Sequence, residues 1–267
     1  MSTFDTITLQ RAGNGRVTVL LDRPDSLNTL TPGMKDEIET ALDDLRADDD
    51  VRVVVLRGRD GVFCAGSDVS GSDDDEGGGE KQVHELLERR RRDRAFYRTL
   101  DRFPKPIVAA IEGYALGAGC EIACCCDTRV AAESANIGLP EAKLGGIPNG
   151  GGTQRLTRLV GASRARDMVM RGKHYAATEM AECGFVHELA PEDEFEGLLE
   201  SVVGDYLNRA PIALAIAKQL VTQGADASLE SGLVMEGLGA TAVSFTEDVE
   251  EGMAAFREDR DPEFRGR

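Results

Sequence analysis

From Thr6 to Pro24, apolar and polar residues alternate on both sides of Asn14-Gly15. That alternation around an Asn-Gly pair predicts a β-hairpin. From Thr31 to Leu45 the period changes. Met34, Ile38, Ala41, Leu42 and Leu45 fall at helical spacing, and Thr31-Pro32 supplies an N-cap followed by a first-turn proline. "VRVVVLRG" (51–58) and "IVAAIEG" (107–113) are unbroken apolar runs, the pattern of strands buried on both faces. Between them lies "GVFCAGSDV" (61–69), a loop of small residues, and then "SGSDDDEGGGE" (70–80), a composition break that predicts a mobile loop. "HELLERRRRDRAFYRTL" (84–100) predicts a helix with Glu85/Arg89 and Glu88/Arg92 four apart on a solvated face. Past about residue 160 the patterns are nearly all helical. The order of elements predicts an α/β core over 1–195 and a helical region over 196–267, with no internal repeat.

Composition narrows the class. With 267 residues and 41% hydrophobic content, the chain can build a sizeable core. No apolar run is long enough to span a bilayer, and "MSTFDTITLQ" lacks the basic and apolar regions of a signal peptide, so a cytoplasmic protein is expected. The net charge of −17 repels phosphate and argues against general nucleic-acid binding. Only six of the cations are lysines, against 25 arginines. Acidic excess with scarce lysine suggests a high-salt cytoplasm, where salt screens the repulsion. Four of the six cysteines are Cys120, Cys124, Cys125 and Cys126, with Cys64 and Cys183 apart. Their spacing fits neither a disulfide framework nor a zinc site, and small buried hydrophobes are expected.

Candidate chemistry lies in the small-residue loops. Gly117-Ala118-Gly119 precedes the helical run "CEIACCC". A first helical turn leaves N–H groups without intrahelical partners and carries partial positive charge, the elements of an oxyanion hole. "FCAGSDV" is a second small-residue turn able to supply another donor. Glu121 sits in the first helical turn, and Glu141 follows Pro140 just before the Gly-rich "GGIPNGGGTQRL". These carboxyls admit two accounts. They converge on one pocket, one deprotonating water and the other protonating carbon, or one is a helix-start residue and the other a loop ion-pair partner.

The stretches "LDRPDSLNTL", "VRVVVLRGRDGVFCAGSDV", "FPKPIVAAIEGYALGAGCEIACCCDTRVAAESANIGLPEAKLGGIPNGGGTQRL" and "AAFREDRDPEF" resemble the enoyl-CoA hydratase/isomerase, or crotonase, family, and together they cover essentially the whole chain. The resemblance implies a crotonase-like core of repeated ββα units with two packed sheets, and C-terminal helices that build a homotrimer or a dimer of trimers. It implies an acyl-CoA thioester substrate, with coenzyme A part of the substrate and no separate cofactor or metal. Ser67 and Ala118 match the backbone N–H donors to the thioester oxygen, beside Gly117. Glu121 matches the glutamate that activates water, and Glu141 the one that exchanges a proton with the α-carbon. Asn149 stands where many hydratases have glycine, at a backbone N–H expected to touch the water. CoA contacts are implied at Arg23, Leu27, Ala65, Asp68, Val69 and Arg260. Asp25 and Asp261 replace basic residues common in the family. Both glutamates together favour reversible syn-hydration of a trans-2-enoyl-CoA, in fatty acid or related acyl-CoA degradation. The rivals are enoyl-CoA isomerisation, dehydration of a branched hydroxyacyl-CoA, and a noncatalytic acyl-CoA- or RNA-binding member. The acyl-chain length is expected to be set by 69–95.

Overall fold

A computed structural model describes residues 3–69 and 83–267, so the acidic 70–80 segment lies outside the described residues, as does the Arg89 side chain. Strands β1 (Ile7–Arg11) and β2 (Arg16–Leu21) form the hairpin expected around Asn14-Gly15. Helix α1 (Pro32–Ala47) follows. The Thr31 hydroxyl accepts the Met34 N–H at 3.1 Å, and Met34, Ile38, Ala41, Leu42 and Leu45 are its buried residues. Then come β3 (Val53–Gly58), α2 (Val83–Asp101), β4 (Ile107–Ile111), β5 (Tyr114–Leu116), α3 (Ala118–Cys125), β6 (Thr128–Ala132) and β7 (Asn136–Gly138). The rest is α4 (Arg155–Arg171), β8 (His174–Ala176), α5 (Ala177–Glu182), β9 (Glu188–Ala190), α6 (Phe195–Leu207), α7 (Pro211–Gly224), α8 (Leu229–Val243) and α9 (Glu247–Glu258).

Six strands pair in the order β1-β2-β3-β4-β6-β9, parallel except for the first hairpin. A smaller sheet runs β5-β7-β8. The region after residue 160 is therefore not all helical: β8 and β9 are held by pairing to β7 and β6, a long-range partnership that local pattern does not carry. The continuous apolar runs are explained by burial on both faces. Val54, Leu56, Ile107 and Ala109 join the main core with α1 and α3. Val53, Val55, Val108 and Ala110 pack instead under Phe195, Leu199 and Val203 of α6.

On α2, Phe96, Tyr97 and Leu100 are buried. Glu88 pairs with Arg91 at 2.9 Å, not with the expected Arg92. Cys120, Cys124, Cys125 and Cys126 are free and buried as expected, and burial pushes the Cys126 thiol up to about 12. The described residues hold no cluster of three or more His, Cys, Asp or Glu able to bind a metal.

Candidate active site

Two turns meet at the C-terminal edge of β3 and β4. The first is the 61–69 loop, laid against the start of β5: the Cys64 N–H donates to the Tyr114 carbonyl at 2.8 Å, and Leu116 returns an N–H to Cys64 at 3.0 Å. On its other side the Gly66 carbonyl accepts from Leu30 (2.8 Å) and the Asp68 N–H donates to Leu30 (3.0 Å). Peptide directions alternate along such a bridge, so the Ser67 N–H faces away from Leu30. No described residue accepts from it.

The second turn opens α3. Gly117 takes φ 50° and ψ −117°, a region essentially closed to side chains, and this aims the Ala118 N–H outward at the first helical position. That N–H also has no acceptor among the described residues. The turns fit together because residue 119 is glycine: a Cβ there would collide with the Cys64 carbonyl oxygen. The far end of α3 is fixed by Arg129. Its buried guanidinium donates to the Ala123 (3.0 Å), Cys126 (2.7 Å) and Phe185 (2.6 Å) carbonyls. The result is two free N–H donors on a braced frame, joined by the positive end of a helix.

Glu121 lies in the first turn of α3 and is 4% exposed. Its Oε1 accepts the Gly150 N–H at 2.6 Å and the Gly152 N–H at 3.0 Å, and its Oε2 accepts the Tyr97 hydroxyl at 3.4 Å. Burial raises its carboxyl above the ordinary value, while the Gly152, Gly150 and Tyr97 donors and the Lys35 charge restrain the rise. Residue 150 must be small: a Cβ would run into the Tyr97 ring and come 2.7 Å from Glu121 Oε2. Arg155 braces the loop by donating to the Gly150 carbonyl at 2.9 Å.

Glu141 stands on a 3₁₀ turn, Pro140–Leu144. Its Oε1 is 3.2 Å from where a Cβ of Gly117 would sit, so its carboxylate overhangs the start of α3. Its Oε2 is buried with no hydrogen-bond partner. Desolvation, with a smaller push from the Glu121 charge, raises this carboxyl to about 7. Neither glutamate forms an ion pair among the described residues, and the Glu121 charge is one of the pushes on the Glu141 carboxyl. One carboxylate is held by donors. The other is strained toward its protonated form.

Several of the other residues named from the sequence lie near this centre. The Arg23 guanidinium bonds Asp68 at 2.9 Å and the Thr29 carbonyl at 2.7 Å, and the Ala65 N–H donates to Leu27. Leu27 and Val69 are exposed at this rim, beside Ser67. Arg260 stands apart: it bonds Glu251 and Glu258 on α9, and the tail beyond it reaches Arg52, just before β3, at the other end of that strand from the 61–69 loop. Asn149 is half-buried at the edge of the Gly-rich loop, and the N–H groups that Glu121 accepts come from Gly150 and Gly152. Tyr97, Gly150, Gly152 and Arg155 were not singled out from the sequence. Tyr97 looks like ordinary helical core beside Phe96 and Leu100, and only the run of glycines near a carboxylate hinted at the rest.

A family model described as enoyl-CoA hydratase/isomerase matches residues 11–267. The 2,3-dehydroadipyl-CoA hydratase of Escherichia coli K12 is 37% identical over 92% of this chain and 94% of its own length. The human protein named enoyl-CoA hydratase domain-containing protein 2, mitochondrial, is 37% identical over 95% of this chain and 86% of its own. The solved enoyl-CoA hydratase of Bacillus anthracis superposes with a TM-score of 0.90 at 33% identity, covering 98% of this chain and 100% of that one. The frame of two free donors and two carboxylates thus belongs to a chain similar to hydratases along nearly its whole length, and this chain is a member of the enoyl-CoA hydratase/isomerase family.

Proposed function

We propose that the chain adds water reversibly to a trans-2-enoyl-CoA, giving a 3-hydroxyacyl-CoA. The observation that carries this is the pair Glu121 and Glu141 at the start of α3, beside the two free N–H groups, one accepting two backbone N–H groups and the other with a buried oxygen that has no partner. The thioester oxygen accepts from the Ser67 and Ala118 N–H groups. Water sits on Glu121, whose carboxylate takes a proton as the oxygen attacks C3. Negative charge collects on the thioester oxygen as an enolate, where preorganised donors are worth about 3–4 kcal/mol each in comparable sites. Glu141, in its carboxylic acid form, gives its proton to C2. Glu121 ends protonated and Glu141 ionised, and proton exchange between them resets the site. The chemistry is acid–base catalysis with carbonyl polarisation, and coenzyme A enters as part of the substrate, over the rim of Arg23, Leu27, Ala65, Asp68 and Val69. Asn149 places a side chain beside the water position, where it tunes rate or substrate choice.

The proposed assembly is a homotrimer or a dimer of trimers built on α7–α9. The supporting observation is apolar exposure there: Val221 is 76% exposed, Leu238 67%, Phe245 87% and Phe256 84%. No helix among the described residues is long and apolar enough to cross a membrane, which accords with a proposed cytoplasmic location.

Product analysis separates this reaction from isomerisation. With trans-2-enoyl-CoA the expected product is 3-hydroxyacyl-CoA, and with 3-enoyl-CoA little conversion. Conversion of the 3-enoyl to the 2-enoyl thioester without water addition would overturn the proposal.

A further inference from the structure

Tyr97 is buried on α2, in a run where Phe96 and Leu100 fill the core with apolar side chains alone. The Tyr97 hydroxyl therefore needs its own account, because a buried phenol without a partner costs stability. Among the described residues that hydroxyl has one partner, Oε2 of Glu121, at 3.4 Å. It acts there as a donor. Burial, with the Glu121 charge, pushes the phenol well above its ordinary value, so it keeps its proton. The ring has little room to move. It meets Phe96 edge to face with centroids 5.1 Å apart, and a Cβ on residue 150 would collide with it. On the α1 side the Lys35 ammonium stands 6.0 Å from the ring centroid and bonds Asp93 at 2.5 Å. Residues from α1, α2 and the 148–152 loop thus all bear on the place of one hydroxyl.

What this does to Glu121 follows from its acceptor sites. A carboxylate has about four lone-pair sites, two on each oxygen. Oε1 accepts from Gly150 and Gly152, which fills it. Oε2 accepts from Tyr97, which leaves one site. We infer that Tyr97 is a positioning residue for the reaction: its hydroxyl fixes Glu121 Oε2 so that the carboxylate presents a single open acceptor site to the attacking water. Without that hydroxyl Oε2 has two open sites and the water two poses, and misplaced reactants forfeit much of the gain from orientation. The inference rests on the hydratase proposal for the site itself. The other titratable and charged groups around the contact are Lys35 on α1, Asp93 on α2, Cys64 in the 61–69 loop, Glu141 on its 3₁₀ turn, and Cys120 and Cys125 on α3. Arg155 on α4 bonds the Gly150 carbonyl. Of the groups that favour the charged form of Glu121, Tyr97 is the one side-chain donor. Its loss therefore favours the protonated form, which cannot take a proton from water.

The test is Tyr97→Phe, which keeps the ring and removes the hydroxyl. With trans-2-enoyl-CoA, kcat is expected to fall about tenfold, the worth of a modest hydrogen bond to a charged group, with KM little changed. The acid limb of the kcat/KM profile is expected to move up by about one pH unit, while the alkaline limb set by Glu141 stays in place. Infrared titration of the Glu121 carboxyl, assigned by its loss in Glu121→Gln, reads the same shift without turnover. Wild-type kcat with an unmoved acid limb in Tyr97→Phe overturns the inference. So does a fall in kcat with the acid limb and the infrared titration both unmoved, the pattern of lost packing alone. A shifted Glu121 titration in a protein that hydrates no enoyl-CoA retains Tyr97 as the residue that positions Glu121 and sinks the hydratase proposal. Hydration by the wild type, with Tyr97→Phe indistinguishable from it, does the reverse.

Discussion

Glu121 and Glu141 are the same residue type at one helix start, yet their surroundings differ. Glu121 accepts two backbone N–H groups that favour its charge, while Glu141 has a buried oxygen with no partner. That difference has a pH signature. The value of about 7 for Glu141 lies above the ordinary 4.5. Hydration uses the protonated acid, so kcat/KM for hydration is expected to fall as pH rises through about 7, while the dehydration direction gains. The folded protein also holds a proton that the unfolded chain releases between about 4.5 and 7. Stability contributed by this group is full below that window and declines as pH rises through it. Glu141→Gln is expected to flatten this part of the stability profile in denaturant titrations at several pH values. An unchanged slope would remove Glu141 as its source. From sequence, the two glutamates were conspicuous because they sit in small, apolar company. Their surroundings were not, since the partners of Glu121, namely Gly150, Gly152 and Tyr97, lie 24 to 31 residues from it in sequence.

At the scale of elements, the site is a junction between the 61–69 loop and the start of α3. Its geometry depends on how closely they approach. Gly119 is the contact point, and any side chain there meets backbone rather than a movable side chain. Gly119→Ala is therefore expected to cost about 1–3 kcal/mol, as overpacking does. It is also expected to separate the Ser67 and Ala118 donors and lower kcat more than KM rises. Wild-type stability with wild-type kcat would show that the turns can part without consequence. The long elements were legible because their periods are: α1 was read with all five of its buried positions, and β3 and β4 as buried runs. The three-residue strands β5, β7, β8 and β9 were not, since three residues cannot establish a period and their identity comes from pairing. The Arg-rich stretch of α2 was read as a solvated helix with ion pairs at four-residue spacing. The helix is there, but among the described side chains the pair within it is at three, and Arg94, Arg98 and Arg102 line a groove.

As a whole molecule, the chain combines a net charge of −17 with exposed apolar residues on its last helices. Charge repels copies at low salt, and apolar surface draws them together once the charge is screened. Light scattering is expected to give a trimer or hexamer mass in molar salt, with thermal stability rising with salt over the same range. A monomer in molar salt, or greatest stability in dilute buffer, would contradict both parts. For the molecule as a catalyst, the central claim is that Glu121 and Glu141 act together on one water and one carbon. The most direct measurement is kcat for hydration in Glu121→Gln, Glu141→Gln and the double variant. Each single change keeps size and most hydrogen bonding but cannot cycle a proton, and is expected to lower kcat by about 10²–10⁴. The double variant is expected to fall far short of the product of the two losses, because the pair works as a unit. Glu121→Gln within a few-fold of wild type, with Glu141→Gln inactive, would contradict the account and leave a single-carboxylate reaction on the same fold.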